Sequence, residues 1–476
     1  MSRTDTAGNA GKTSVAGKTS VAGNTGAIDS AELIALGQRL LSDAGPSEQI
    51  EVVLTHSVDT EVRAYDGAVE SFVSATSAGV GIRVVDGSRQ GFAAVGSLEP
   101  DAVREALAEA RDNASFATVD PHAGLARPDG VVPPPVQLYD ERLALVDVAA
   151  KVELALALER ATLEGDARIL GVESAEYADS IMTSAIVTTE GIVSSAVESM
   201  CSLVSSALAG ADDEVTTGFG FSIGRSIEEL SVARAAGDAA SKAVRMLGAS
   251  RVPTGRVTVV LEPWVTAQLL GIIAECFSAD AVLKGRSPFA DRLGDLVGSP
   301  LVTLVEDPTD PRAFGATSVD GEGLATRPVE LIGAGVAGAW LHDSRTARQM
   351  GAASTGSAVR GGFRSTPSPG AQAVRLTGGT GTARDVLAQV GDGIVVSDVQ
   401  GLHSGVNSVS GDFSTGIEGV RLRGGELGEP VREVTIASTL QRMLADVVAI
   451  ADDTDWCPMD AAGCTVAIAD VTVSGA

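Results

Sequence analysis

Histidine is scarce in this chain, with four in 476 residues: His56, His122, His342 and His403. None has another histidine or a cysteine at helical ligand spacing, so no ready zinc motif stands out. Cysteine is equally rare. Cys201, Cys276, Cys457 and Cys464 are too few and too scattered for a disulfide framework in a chain of this length, and six residues between Cys457 and Cys464 is not a zinc-ribbon spacing. The pattern predicts a cytoplasmic protein. Aromatic residues make up only 3%, so the core must be aliphatic. Lysine and arginine (35) are outnumbered by aspartate and glutamate (62), a net charge of −27. That field repels phosphates and argues against nucleic acid and anionic membranes as partners, while leaving basic or neutral peptides open. No uncharged apolar run reaches the length of a membrane span, and no apolar segment follows Met1-Ser2-Arg3 as a secretory leader requires. Neither export nor membrane insertion is expected.

The length suits two or three domains with a sizeable core. Residues 1–28 read as a disordered, low-complexity tail: the hexapeptide Ala-Gly-Lys-Thr-Ser-Val occurs at 10–15 and again at 16–21, and such small polar residues cannot offset their ordering entropy. Residues 29–250 read as an α+β domain of antiparallel sheets with covering helices. Leu33, Ile34, Leu36, Leu40 and Leu41 mark a first helix behind Asp29 or Ser30 as N-cap. Short β-rich runs at 50–56, 61–65, 69–74, 80–85 and 91–95 then form a meander, with Asp66-Gly67 and Asp86-Gly87 as turns. A helix over 100–117, a proline-rich linker over 121–135 and a helix over 143–163 lead to a second sheet, and 227–247 reads as one more helix. Residues 251–476 form a mixed, mostly-β domain with glycine-rich loops. It opens with a strand at 256–261 and a helix at 262–277 that buries Leu269, Leu270, Ile273, Cys276 and Phe277. Further on, 329–340 reads as a strand, Thr382 with Asp385 as a capping box, and 438–450 as a helix.

The C-terminal domain is organised around residues 391–426. A β-branched run from Ile394 to Val399 enters a Gly/Ser/Asn/Asp segment, and a second run from Ile417 to Leu422 leaves it. Nine of these 36 residues are glycine, against 55 of 476 overall. Such density predicts a shaped loop with positive φ or close backbone approach.

The residues Gly401-Leu-His-Ser-Gly-Val-Asn407, Ser410-Gly-Asp-Phe-Ser414, Gly419 and Gly424-Gly-Glu426 resemble the C-terminal signature of the TldD/PmbA family. More narrowly they resemble its PmbA branch, also called TldE. Gly338-Ala-Trp340, Ser344 to Gly351 and Ser354 to Ala358 support the resemblance, which covers the chain from about Ile50 onward.

The resemblance also exposes an absence. Members of the TldD branch carry His-Glu-x-x-x-His on the helix corresponding to 262–277, where two imidazoles hold zinc and the glutamate activates water. The matching positions here are Gly271, Ile272 and Cys276. Neither glycine nor isoleucine offers a side-chain ligand or base.

The resemblance therefore implies a subunit without its own catalytic zinc, and so with no catalytic or metal residues and no cofactor of its own. It would be paired with a TldD-like zinc peptidase subunit in a heterodimer that cuts unfolded or small peptides in a shared chamber. His403, Gly405, Asn407, Gly411 and Asp412 are its candidate peptide- or partner-facing residues, with loop backbone available for strand addition. Two alternatives stand beside it: a self-standing metallopeptidase using Cys276 or His403, and a non-enzymatic homodimeric peptide scaffold.

Overall fold

The structure, a computed structural model, describes residues 28–211 and 214–475, without the side chain of His403. All of the expected tail but Ile28 lies outside the described residues.

The runs at 50–56 and 61–65 form a single strand, β1 (Gln49–Tyr65), because Ser57 to Thr60 keep the period of two between them. It is followed by β2 (Ala68–Asp86) and β3 (Arg89–Val95). Asp66-Gly67 turns with φ of 54° and 72°, as a tight hairpin requires. The second turn lies one residue later than expected, on Gly87-Ser88 at 54° and 63°. After the linker come β4 (Ile169–Thr188), β5 (Val193–Ala211) and β6 (Glu214–Gly224). β1 pairs along β4 from Glu51 opposite Thr188 to Ala64 opposite Ala175. The two expected meanders are thereby one six-stranded antiparallel sheet, ordered β3-β2-β1-β4-β5-β6.

Helices Ser30–Leu41, Pro100–Phe116, Val148–Leu163 and Val232–Arg245 cover one face of this sheet. Val52 and Leu54 pack there with Leu33 and Leu107, and Val62 and Ala64 with Leu158 and Ala235. Each fully buried valine or leucine side chain among them contributes about 1.5–3 kcal/mol. Two helices are shorter than their apolar patterns suggest. Asp147 accepts the Ala150 N–H at 2.7 Å and starts a fresh helix at Val148, leaving Glu141–Ala144 as a separate turn. Ser231 likewise caps the helix from Val232, after a 3-10 turn at Ile227–Glu229.

In the C-terminal domain β7 (Gly255–Leu261) runs parallel to the strand Gly393–Gln400, Val259 opposite Ile394. The order continues through Asp412–Arg423 and Glu426–Thr439 on one side and Val466–Ser474 and Val447–Ile450 on the other. Thr435 pairs with Ser474, so Glu426–Thr439 meets Val466–Ser474 and closes five strands into a barrel. The barrel makes this domain mixed and mostly β, as its sequence pattern predicts. The run 329–340 is a hairpin, Val329–Gly333 with Val336–Ala337, rather than one strand. The helix expected over 438–450 stops at Ala445, and Val447–Ile450 joins the barrel sheet.

A charged joint ties the two domains. Arg83 donates to Glu51 through Nε at 3.0 Å and Nη2 at 2.6 Å, and Arg360, between the short strands Ala358–Val359 and Ser368–Pro369, donates to the same carboxylate. Glu322 accepts the Ser344 N–H (2.8 Å) and hydroxyl (2.6 Å) and faces Arg83 at 3.5 Å. Arg348 donates to the carbonyls of His122, Gly124 and Leu125. The segment 344–351 singled out in the sequence thus helps build the joint, through Ser344 and Arg348.

Candidate functional site

β7 delivers the chain into the helix Pro263–Glu275, whose N-cap, Glu262, is held by Arg245 at 2.7 Å and 3.0 Å. Leu269, Leu270, Ile273 and, just past its end, Cys276 and Phe277 are buried as their spacing predicts. The other face carries Gln268, Gly271, Ile272 and Glu275, a stripe at i, i+3, i+4 and i+7. That stripe forms one wall of a cleft of about 600 Å³. Val399, Gly401, Leu402, Val406 and Ser408 form the second wall, and Ala371 with Met459, Asp460 and Ala461 the third.

Gly271 opens onto this space: a Cβ built there meets nothing within 4 Å. Ile272 faces the cleft while touching the barrel core. Cys276 turns away, 1% exposed, with its thiol donating to the Ile272 carbonyl at 3.4 Å. Burial pushes that thiol up to about 12, and Glu275 adds to the shift, so it is neither thiolate nor cleft-facing. The Cys457 and Cys464 thiols are likewise buried and pushed up to about 12. His56 and His342 are buried, each with an Nδ1 that has no partner among the described residues, and burial lowers both their pKa values. His56 lies within β1 rather than at a strand end, and His342 precedes the Asp343 N-cap of helix Ser344–Met350. Among the described residues no three His, Cys, Asp or Glu side chains gather as a metal site. The cleft residues do not fit the zinc site of the TldD branch.

What the cleft does hold is carboxylate. Both Glu275 and Asp460 reach the surface; partial desolvation in the cleft raises the pKa of Glu275, Asp460 raises it further, and desolvation also raises Asp460. Behind them Glu306 is 1% exposed and accepts the Gln372 N–H at 2.8 Å and the Ala373 N–H at 3.0 Å, fixing the segment that carries Ala371. Its desolvation outweighs those two hydrogen bonds and pushes its pKa up to about 7. Gln268 adds a buried Nε2 donor with no partner among the described residues. The cleft thus combines carboxylate acceptors, an amide donor with no partner among the described residues, and apolar walls.

The loop of 401–412 is shaped by the residues singled out from its sequence. Gly401 has φ of 75° and starts the single turn Leu402–Gly405, which contains His403. At Gly405 a Cβ would run into the Ser414 carbonyl, and at Gly411 (φ 83°) into the Gln441 amide. Asn407 Oδ1 accepts the Val409 and Ser410 N–H groups at 3.0 Å and 3.2 Å. The Asn407 N–H donates to the Asp412 carbonyl (2.8 Å), the Gly411 N–H to the Asn407 carbonyl (2.7 Å), and the Leu440 N–H to the Gly411 carbonyl (2.8 Å). Gly405, Asn407, Gly411 and Asp412 therefore fold the loop, and their neighbours Gly401, Leu402, Val406 and Ser408 line the cleft. Gln268 and Glu275 were detectable as the weakly apolar stripe of an otherwise apolar helix. Asp460 arrives from a segment about 185 positions away and left no local signal.

Three consecutive stretches match one family: residues 50–114 its PmbA/TldA metallopeptidase domain 1, 141–247 its central domain and 254–475 its C-terminal domain. A metalloprotease PmbA homolog of Haemophilus influenzae is 30% identical over 426 residues, covering 89% of this chain and 91% of that protein. The metalloprotease PmbA of Escherichia coli O157:H7 is 27% identical over 413 residues, 86% of this chain and 89% of that protein. The crystal structure of TldE from Thermococcus kodakarensis superposes with a TM-score of 0.84 at 21% identity, over 94% of this chain and all (100%) of that one.

Proposed function

The chain belongs to the PmbA/TldD metallopeptidase family, in its PmbA/TldE branch, and from that premise we propose that it is the non-catalytic subunit of a heterodimeric peptidase. One observation carries the reading. The helix face that would present the TldD-branch His-Glu pair is intact and opens onto a cleft, but it presents Gly271 and Ile272. The cleft keeps the room and the walls of a peptide site, while the two positions of the zinc-binding pair, Gly271 and Ile272, offer neither a ligand nor a base.

In this reading the chain contributes substrate binding and half of a chamber wall, and a TldD-like partner contributes the zinc. Backbone approach along Gly401 to Val406 and the Gln268 amide would orient an extended peptide. Glu275 and Asp460 would meet a basic side chain, in keeping with the net charge of −27. Assembly is favoured by β2: from Ala68 to Ala78 it pairs only with β1, because β3 begins its pairing at Val80. That edge carries exposed Val69, Phe72 and Val73, with no proline or lysine to block strand addition. The buried Cys276 thiol speaks against a self-standing peptidase built on it.

Peptidase assays on the chain alone and on the complex captured from its own cell extract test the proposal. The complex should cleave an unstructured Lys/Arg-rich peptide and the isolated chain should not. Zinc-dependent cleavage by the isolated chain would refute it.

A further inference from the structure

The barrel has two mouths, and the candidate cleft occupies only the one where β7 and the 393–400 strand end. At the other, where those strands begin and the 412–423 and 466–474 strands finish, lies a pocket of about 670 Å³. Arg256, Arg421 and Arg423 stand on its rim and walls, with Val257, Ile394 and Val473 between them.

In a chain with 62 acidic and 35 basic residues, arginines normally find carboxylates. Arg256 pairs with Asp470 at 2.6 Å and Arg423 with Glu429 at 3.4 Å, in exposed pairs whose acids do not line the pocket. Such exposed pairs hold their guanidiniums weakly. Arg421 is half-buried and makes no ion pair among the described residues; its guanidinium reaches only the Arg251 carbonyl, at 3.5 Å. The one acid lining the pocket, Asp392, accepts the Gly424 N–H through Oδ1 at 3.1 Å. A half-buried guanidinium with no ion pair among the described residues, beside two easily released guanidiniums and an apolar wall, is placed to receive an anion.

We propose that this second mouth binds a small amphipathic anion, a carboxylate or phosphate ester carrying an apolar chain. Guanidinium pairs match both headgroups with two parallel hydrogen bonds. The apolar wall supplies what charge alone cannot, since the net field of the molecule repels simple anions. The inference stands apart from the zinc question at the opposite mouth.

Isothermal titration calorimetry of the full chain with octyl phosphate and with octanoate, each below its micellar concentration, tests it. One saturable site per chain is expected for at least one probe, which identifies the headgroup. Inorganic phosphate and octanol should each bind at least tenfold more weakly. Arg421→Gln should weaken the probe at least tenfold, Arg256→Gln on the exposed rim should weaken it without disturbing the half-buried position, and Arg168→Gln in the turn before β4 should change nothing. Absence of saturable binding overturns the proposal, as does equal affinity for octanol or affinity unchanged in both Arg421→Gln and Arg256→Gln.

Discussion

Gln441 lies against Gly411: its Nε2 donates to the Ser410 carbonyl at 3.1 Å, and its amide fills the space where a Cβ on Gly411 would stand. The central loop is thus clamped from outside the cleft by the first turn of the helix Leu440–Ala445. Gly411→Val adds both a collision and a strained φ, at a cost of about 1–3 kcal/mol. The expected result is a loop cut faster in limited proteolysis and peptidase activity of the complex reduced at least tenfold, with little change in the melting temperature of the barrel.

Peptide binding should follow the cleft carboxylates. Partial desolvation in the cleft raises both Glu275 and Asp460, so each stays protonated to a higher pH than a free carboxylate and gains its charge as pH rises. Affinity for a Lys/Arg-containing peptide, read by fluorescence anisotropy, should therefore increase with pH through the carboxylate range. Glu275→Gln with Asp460→Asn should flatten that dependence and lower affinity about tenfold near neutral pH.

Glu306 makes a stability prediction of opposite sign to a salt-bridged acid. Its folded pKa of about 7 lies above the unfolded value near 4.5, so the native state holds a proton that the unfolded state has released. Stability should fall as pH rises from about 4.5 to 7 and then level off, by about 3 kcal/mol at one pKa unit per 1.36 kcal/mol. Urea melts of wild type and Glu306→Gln across that range check this: the variant should decline less than wild type by about that amount, the remainder coming from other buried carboxylates such as Asp320, whose pKa burial also raises.

At the domain joint, Glu51 is 1% exposed between Arg83 and Arg360. Glu51→Ala leaves two buried guanidiniums facing each other, and loss of one partner from such a group costs about 3–5 kcal/mol. Calorimetry should show a lowered transition, whereas Arg168→Gln, at an exposed pair, should be within about 0.5 kcal/mol of wild type.

Much of the fold was legible because its signals are local. Alternation marked the long strands, Asp66-Gly67 marked a turn, and Thr382 with Asp385 does form the capping box. The single N-terminal sheet was not legible, since nothing local in β1 specifies β4 as its second neighbour across more than a hundred residues. Barrel closure by Thr435 with Ser474 is invisible for the same reason. At the site, the helix, its missing His-Glu pair and the shaped loop could be read in sequence. Asp460 and Glu306 could not, because a carboxylate's role depends on desolvation that only the assembled fold supplies.

The most direct measurement is native mass spectrometry, with zinc quantified, on the complex captured through a C-terminal tag from its own cell extract. The account predicts a heterodimer carrying one zinc, and no zinc on this chain once purified alone. A zinc-bearing homodimer of this chain would contradict it.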